Sequence, residues 1–506
     1  MKYFDRTLHV LSRLLSDRRF FRVLIGFLVL EAGWIALSQH FPMAFDEDYH
    51  LGIIRIYADH WLPFLQTHPA GADAYGAVVR DPSYLYHYLM SFPYRFVTLF
   101  TDNQTTQIII LRFLNIGLFG AGMLLYRRIF ERLGAPRVAI NGVLLLLLLI
   151  PVVPLMAGQI NYDNLLIVGI GATLILIMQL VDGLSAKKFD VVILMWLGIV
   201  CLLMSLVKYA YLPIFAASGV FLIIQLVHFW GRPGAKWWVN LRKSIAKAPR
   251  RSLLLTAAVL VVAIGLFSQR YVVNAFQYGT PLPDCRQVLT IDQCKQYGPW
   301  ARDYRLAGVK HDFHPSVASF INEWFHGMWR RLYFTLDGPS TGYQTRNPFP
   351  VPNMSAVVIA AAALMSLVLG WRRLLRRYDR SFVLLLLGVS LVYTVVLLLD
   401  NFEAYVRTGR PVAINGRYLI PFLPLVGMLS VLAGGLLLRN RTRIIGVLAL
   451  AAVLAQLWGG GALTFILRSS DNWYWPSPVV RNANHLVQHT LGPITPGYVE
   501  PSQFLR

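Results

Sequence analysis

An acidic segment ending in a histidine stands directly after the first long apolar run, in the order Phe45-Asp46-Glu47-Asp48-Tyr49-His50. General base catalysis needs a carboxylate held near a substrate hydroxyl, and this segment offers Asp46 and Glu47 as catalytic candidates. Asp48 and His50 are candidates for binding the substrate beside them. The competing interpretation is a solvated acidic cluster on a loop, which would have no chemical role.

Two further polar segments each carry one candidate. Arg80 precedes an aromatic segment and could pair with a lipid phosphate, although arginine and tyrosine are also common anchors at membrane surfaces. Asp163 lies in the polar turn Gln159-Ile160-Asn161-Tyr162-Asp163-Asn164, between two apolar runs. An aspartate at this place can cap the following helix, and the same side chain can line a site.

Two cations complete the set of candidates. Lys208 separates two closely connected apolar runs, where a charged side chain is costly unless it is paired or hydrated. It either extends to the membrane interface or binds a phosphate as a point charge. Arg417 and Tyr418 lead into a later apolar run. We expect an anionic ligand as the partner of Arg417, with the acids of residues 41–106 as the alternative.

The three cysteines suggest one disulfide. Cys285 and Cys294 lie nine residues apart in a polar loop, whereas Cys201 lies in an apolar run. No pair has the two-residue spacing of a zinc ribbon or a thioredoxin-like site. We predict a Cys285–Cys294 disulfide because the charge pattern described below places this loop outside the cytoplasm, where disulfides persist.

The elements that must position these residues are apolar helices. Of the 506 residues, 56% are hydrophobic and 14% are charged, with a mean hydropathy of +0.52. This composition argues against a soluble enzyme and against a disordered chain. A membrane span needs about 20 mostly apolar residues, and the sequence contains eleven such runs. They cover about 21–40, 107–126, 138–156, 164–181, 190–207, 210–230, 252–270, 354–371, 381–399, 418–438 and 444–467.

The distribution of charge predicts the orientation of these spans. The net charge is +22, but more than half of the Lys and Arg residues lie in short segments on one side of an eleven-span layout. Most of the acids lie on the other side. This is the positive-inside pattern and not the footprint of a nucleic-acid-binding protein. It predicts a cytoplasmic N-terminus and an extracytoplasmic C-terminus. Residues 84–100 are then an interfacial segment, since a twelfth span would invert every later loop.

The predicted fold class is therefore an all-α polytopic membrane protein. Its four parts are an N-terminal transmembrane module, an extracytoplasmic loop, a C-terminal transmembrane module and an extracytoplasmic tail. The N-terminal module contains a first outer loop, residues 41–106, with interfacial helices. In chain order the four parts cover residues 1–270, 271–352, 353–467 and 468–506.

Acidic residues after the first span, a long first outer loop with an interfacial helix, and cations at later outer ends together resemble the GT-C superfamily of membrane glycosyltransferases. More narrowly, four short motifs resemble the pattern of DUF2142, an uncharacterised bacterial membrane family that is itself similar to GT-C enzymes. The likeness covers about residues 40–425, and Asp48 makes the acidic motif heavier than the usual Asp-Glu pair. The motifs are Asp46-Glu47-x-x-His50, Asn161-Tyr162-Asp163, Lys208-Tyr209-x-Tyr211 and Gly416-Arg417-Tyr418-x-x-Pro421.

The resemblance implies transfer of a hexosyl or pentosyl group from a polyprenyl-phosphate-linked donor. The acceptor would be a glycan, lipid or protein of the cell envelope, at the outer face of a bacterial inner membrane. Asp46 would act as the base for an inverting attack. Lys208 and Arg417, with Arg80 behind them, would stabilise the phosphate that leaves. Whether Mg²⁺ or Mn²⁺ joins Asp46 and Glu47 stays open.

Other functions fit parts of the same pattern. A transporter or flippase of lipid-linked glycans would bind phosphate with the same cations and would perform no chemistry. A polysaccharide polymerase or ligase would use a glycan chain as the donor. A scaffold without activity is the last alternative. Transport predicts charged residues near the midplane of several spans, whereas these candidates lie at the ends of apolar runs, which favours chemistry at the interface.

Overall fold

The computed structural model describes residues 10–43, 46–309, 316–333, 350–439, 441–458, 461–469 and 471–494. Parts of the predicted basic N-terminus, of loop 271–352 and of the tail lie outside these residues.

The described chain is helical and contains no β-strand, only an isolated bridge between Gln39 and Tyr474. Its α-helices are α1 (Phe20–Ser38), α2 (Glu47–Ala58), α3 (Leu85–Thr98), α4 (Gln104–Arg132), α5 (Arg137–Leu148), α6 (Val152–Ala157), α7 (Asp163–Ser185), α8 (Val191–Val207), α9 (Leu212–Trp230), α10 (Ala235–Lys247), α11 (Arg250–Phe267), α12 (Val273–Tyr278), α13 (Cys285–Val288), α14 (Ile291–Cys294), α15 (Gly298–Gly308), α16 (Val317–Tyr333), α17 (Pro350–Arg377), α18 (Arg380–Thr408), α19 (Leu423–Leu437), α20 (Thr442–Trp458), α21 (Thr464–Arg468) and α22 (Pro478–Leu491).

Seven helices of the described chain are long and apolar enough to cross a membrane, which indicates a multi-pass membrane protein. They are Phe20–Ser38, Gln104–Arg132, Asp163–Ser185, Tyr209–Trp230, Arg250–Tyr278, Val357–Arg377 and Arg380–Thr408. Four shorter apolar helices fall in the remaining predicted runs, namely Arg137–Leu148, Val191–Val207, Leu423–Leu437 and Arg443–Leu457. A 17-residue helix is about 25 Å long, against a hydrocarbon core of about 30 Å. Eleven crossings therefore stay a prediction.

The structure differs from the sequence analysis over residues 138–156, which form two helices in place of one continuous run. The helix breaks at Ile150-Pro151, where proline supplies no amide hydrogen and disfavours helical geometry in the preceding residue. The second piece, α6, is completely buried. Gly158 follows it, and a Cβ there would lie 2.8 Å from the carbonyl oxygen of Ala32. The break therefore brings the following polar turn against α1.

The packing of α4 against α7 fixes one side of the site. Both helices approach closely at glycines, because a Cβ on Gly122 would overlap Ile167 and one on Gly171 would lie 2.8 Å from Leu125. Small residues at such crossings let helix backbones come close and maximise van der Waals contact. The same packing carries the polar residues near the start of α4 to the turn that precedes α7.

The segment predicted to lie in the interface forms α3, a helix of 14 residues. At 1.5 Å per residue it is about 21 Å long, too short to cross the hydrocarbon core. Arg95 of α3 donates hydrogen bonds to the carbonyl oxygens of Tyr57, at 2.6 Å, and Ala58, at 2.7 Å. These carbonyls belong to the last turn of α2, so Arg95 caps α2 and joins α2 and α3 into one unit.

The tail is attached to the C-terminal end of α1. The backbone N–H of Trp475 donates to the carbonyl of Ser38 at 3.0 Å, and that of His40 donates to the carbonyl of Trp473 at 3.0 Å. The side chain of Trp473 is itself buried. The end of α1, the start of α2 and the tail thus form one surface at the end of the bundle where the candidate residues lie.

Candidate functional site

Four charged residues from distant parts of the chain meet in one ion-pair chain, which we call the charged cluster. Arg417 Nη2 lies 2.8 Å from Asp46 Oδ2, and Arg417 Nε lies 3.8 Å from Asp163 Oδ2. The other oxygen of Asp163, Oδ1, accepts a hydrogen bond of 2.6 Å from Lys208 Nζ. Two positive and two negative charges therefore balance within the cluster.

The members of the charged cluster differ sharply in exposure. The side chains of Lys208, Asp163 and Arg417 are 6%, 4% and 3% exposed, whereas that of Asp46 is 57% exposed. Ion pairs strengthen as water is removed from them, so the buried Asp163–Lys208 pair is screened less by water than the Asp46–Arg417 pair. Asp46 is the member that faces solvent.

Two tyrosines line the cations of the charged cluster. Lys208 Nζ lies 4.6 Å from the ring centre of Tyr162 and 4.5 Å from that of Tyr418, and Arg417 Cζ lies 5.1 Å from the same Tyr418 ring. The negative face of an aromatic ring attracts a cation at these distances. Tyr418, predicted to bind the substrate, therefore contacts both cations, and Tyr162 contacts Lys208 as well.

Asp163 is presented by the turn that begins α7. It is the first residue of the helix, but its carboxylate does not cap it, because its oxygens face Lys208 and Arg417. The local cap comes from Asn161, whose Oδ1 accepts a hydrogen bond of 2.9 Å from the Asp163 amide. Asn164 anchors this turn to α4, because its side chain donates a hydrogen bond of 3.1 Å to Asn115 Oδ1. The side chain of Asp163 therefore belongs to the charged cluster and does not cap α7.

Lys208 and Arg417 both lie between two helices, beside or within a short turn that leads into the second. Lys208 is the extended residue that ends α8 before a short 3₁₀ turn leads into α9. Arg417 lies in another 3₁₀ turn, where Asn415 Oδ1 accepts its backbone N–H at 3.1 Å. Gly416 permits this turn to touch α16, because a Cβ would overlap the carbonyl oxygen of Met328. Loop 271–352 therefore supports the arginine through α16.

Glu47 has a different environment from its neighbour Asp46. It is completely buried and accepts two hydrogen bonds from Arg112, Nε to Oε1 at 2.8 Å and Nη2 to Oε2 at 2.7 Å. The backbone N–H groups of Met43 and Ile160 donate to the same carboxylate, at 2.8 and 3.2 Å. This bidentate pair connects α2, α4 and the turn before α7, so Glu47 holds together the elements that carry the site.

Arg112 is the residue of this region that the sequence analysis missed. It is also completely buried, and its Nη1 donates to the carbonyls of Ala36, at 3.0 Å, and Gln39, at 2.6 Å. It therefore satisfies carbonyls at the end of α1 as well as the carboxylate of Glu47. An arginine inside the apolar run 107–126 was the available signal, since ionisable residues within spans are rare and normally paired.

His50 forms a second buried group with His87 of α3. His50 Nδ1 and His87 Nε2 lie 2.9 Å apart, and the ring of Tyr162 lies 4.5 Å from that of His50. Burial lowers the pKa of both histidines, that of His87 to about 3. Both rings are therefore neutral at physiological pH and share one hydrogen between them. The contact with Tyr162 connects this pair to the charged cluster.

Asp48 and Arg80 are the remaining predicted site residues. Asp48 is exposed, and Arg80 is half-buried; neither forms an ion pair with a described residue. The backbone carbonyl of Arg80 accepts a hydrogen bond of 3.0 Å from Asn274, so this residue ties loop 41–106 to α12. The phosphate contacts predicted for Asp48 and Arg80 stay predictions.

The carboxylates proposed for a metal do not converge. Each oxygen of Glu47 already accepts two hydrogen bonds, and Asp46 points to Arg417. Within the described ranges, no group of three or more His, Cys, Asp and Glu side chains is arranged to hold an ion. Because hard cations need free carboxylate oxygens, Asp46 and Glu47 do not fit a shared Mg²⁺ or Mn²⁺.

A disulfide-bonded segment covers the first loop near the site. Cys285 and Cys294 are joined with an Sγ–Sγ distance of 2.04 Å, and Cys201 is a buried free thiol. Tyr297, three residues after the disulfide, packs its ring 5.8 Å from that of Tyr49. Gln293 also donates to Asp73 at 3.3 Å. The segment thus rests on loop 41–106, close to the His50–His87 pair.

No protein-family model, curated protein or solved structure matches this chain. Any likeness to a known family therefore rests on the sequence alone.

Proposed function

We propose that this protein is an integral membrane glycosyltransferase of the GT-C type. It transfers a hexosyl or pentosyl group from a polyprenyl-phosphate-linked donor to a glycan, lipid or protein acceptor of the cell envelope. The observation that carries the proposal is the charged cluster, where two buried cations and a solvent-facing carboxylate meet at one end of the helical bundle. Phosphate departure and proton removal need these groups within one site.

The proposed reaction is a single inverting displacement. Asp46 accepts the proton of the acceptor hydroxyl, and the acceptor oxygen forms a bond to the anomeric carbon as the bond to the phosphate oxygen breaks. The electron pair of that bond leaves with polyprenyl phosphate, a stable anion that needs no general acid. Lys208 and Arg417 stabilise the negative charge that grows on the phosphate. Their tyrosine neighbours keep them from bulk water, which strengthens this interaction.

Glu47 acts in this proposal as a positioning residue. Its carboxylate is held by Arg112 and two backbone N–H groups, so its role is to fix the start of α2 and thereby the place of Asp46. The base is then Asp46 alone. His50 packs against Tyr162, which in turn contacts Lys208, and it does not contact the phosphate in this proposal.

The proposed setting is a bacterial inner membrane that the chain crosses eleven times. The N-terminus is cytoplasmic and the C-terminus extracytoplasmic, in accord with the positive-inside pattern. The charged cluster then lies at the outer face, level with the head groups, where a membrane-embedded donor presents its phosphate.

The test is a transfer assay with the purified protein in detergent. Polyprenyl-phospho-sugars and candidate acceptors are incubated with the native protein, with Asp46→Asn, with Arg417→Gln and with Asp59→Asn. Asp59 is an exposed aspartate at the other end of α2, so it controls for the loss of one charge. We expect transfer by the native protein and Asp59→Asn, and a loss of at least about a hundredfold in the other two.

Three outcomes would overturn the proposal in whole or in part. Sugar transfer that survives Asp46→Asn would remove the proposed base. Absence of transfer from every donor, together with movement of lipid-linked glycan across vesicles that contain the protein, would identify a transporter or flippase. Transfer of whole glycan chains in place of single sugars would identify a polymerase or ligase.

A further inference from the structure

The Asp46–Arg417 ion pair joins a solvent-facing partner to a buried one. Asp46 is 57% exposed and Arg417 is 3% exposed, with 2.8 Å between Oδ2 and Nη2. Asp46 also has a backbone φ of 68°, a left-handed conformation at the start of α2 that aspartate tolerates better than most residues. A carboxylate with water around it can leave its partner at little desolvation cost, whereas Arg417 cannot leave.

The charge balance of the cluster limits how an anion can bind. Lys208 and Arg417 are matched by Asp46 and Asp163, so a phosphate diester added to all four would bring an unmatched negative charge. Like charges at these distances in a partly buried site repel strongly. One carboxylate must therefore withdraw. Asp163 is 4% exposed and is held by Lys208 at 2.6 Å, so the carboxylate able to withdraw is that of Asp46.

We propose that a phosphate anion and the Asp46 carboxylate exchange on Arg417. Without the anion, Asp46 occupies Arg417. When the phosphate binds, it takes over the guanidinium and releases Asp46 into solvent beside the site. This inference rests on the proposed function, and it explains how a base tied to an arginine becomes available only after the donor phosphate has bound.

The exchange has a consequence that a base alone would not produce. Because Asp46 competes with the phosphate for Arg417, removing its charge should strengthen phosphate binding even though it abolishes transfer. A carboxylate that only accepts a proton, without competing for the anion, would leave phosphate affinity unchanged. The two roles are therefore separated by a binding measurement in which no sugar is transferred.

The experiment measures equilibrium binding to the full-length protein in detergent, with radiolabelled inorganic phosphate in one arm and polyprenyl phosphate in the other. We expect Asp46→Asn to bind about three- to tenfold more tightly than the native protein, as for loss of a competing ion pair of moderate strength. Asp59→Asn should stay within about twofold of the native affinity, since Asp59 contacts no member of the cluster. Tighter binding in the lipid arm alone identifies a lipid-linked phosphate as the ligand, and tighter binding in both arms shows that the phosphate group suffices.

A second variant protects the test against loss of folding. Arg417→Gln should weaken binding at least tenfold, and adding Asp46→Asn to it should give no further gain, because the contested guanidinium is absent. If Arg417→Gln does not fold, Asp46→Ala repeats the test by removing the carboxylate without touching a buried residue. Native-like or weaker phosphate binding by both Asp46→Asn and Asp46→Ala would overturn the exchange. Tighter binding without sugar transfer by the native protein would retain the exchange and refute the glycosyltransferase.

Discussion

The buried pair of Glu47 and Arg112 gives the sharpest prediction about stability. Glu47→Gln removes the negative charge and leaves Arg112 completely buried, with backbone carbonyls and a neutral amide as its only partners. Removing one partner of a buried ion pair typically costs about 3–5 kcal/mol, because the remaining charge stays desolvated. Asp46→Asn breaks a pair whose carboxylate is 57% exposed, and such pairs contribute about 0–1 kcal/mol.

The assay is reversible unfolding in mixed micelles by titration with dodecyl sulfate, followed by transfer measurements on the folded fraction. We expect Glu47→Gln to lose about 3–5 kcal/mol of unfolding free energy and Asp46→Asn to lose less than about 1 kcal/mol. The double variant Glu47→Gln with Arg112→Met should cost less than the sum of its parts, since no unpaired charge stays buried. A Glu47→Gln protein as stable as the native one, yet unable to transfer sugar, would refute the positioning role.

Three further perturbations test other parts of the site. Lys208→Met should lower sugar transfer about a hundredfold. Lys208→Arg should retain only part of the activity, because Asp163 is placed 2.6 Å from a compact ammonium group. Equal activity of the native protein and both variants in the transfer assay would contradict this. Cys285→Ser removes a disulfide whose loop closure stabilises the segment by about 2.5–3 kcal/mol. We expect faster amide hydrogen exchange over residues 285–297 and unchanged exchange in the long helices. Burial lowers the pKa of His50 and His87 below the usual value of about 6.5, so the unfolded chain takes up protons first as pH falls. The contribution of these two histidines to stability should therefore be constant well above pH 6.5 and decline from there toward about pH 3, and the unfolding free energy of His87→Gln should show a smaller decline over this range.

The helices could be predicted from the sequence because long apolar runs are a local signal. The eleven runs correspond to the seven long and four shorter apolar helices, although Pro151 divides one of them. That Asp163, Lys208 and Arg417 lie at the ends of helices could also be predicted, because each of them stands beside an apolar run. That Asp46 is the partner of Arg417 could not be predicted, because 371 residues separate the two and the sequence shows no difference between a ligand and an acid of loop 41–106.

Arg112 shows a different limit of sequence analysis. One arginine among apolar residues hardly changes the hydropathy of a run, and its partner Glu47 is 65 residues away in another element. The end of α1, the start of α2 and the turn before α7 come together only in the folded structure. The same is true of His87, whose neighbour His50 lies on a different helix of loop 41–106.

Consecutive carboxylates with opposite environments explain how this site combines rigidity and exchange. Asp46 lies just before α2 in a left-handed conformation, and Glu47 is the first residue of the helix. The backbone turns between them, so Glu47 is buried in the bundle while Asp46 is 57% exposed. Glu47 can therefore be bound twice by Arg112 without ever being released, and Asp46 can be bound once by Arg417 and still leave. If the two environments were alike, the site would lose either the anchor that fixes α2 or the carboxylate that the proposed reaction needs. An acidic motif of adjacent residues is thus suited to hold one carboxylate in place and offer the next one to a substrate.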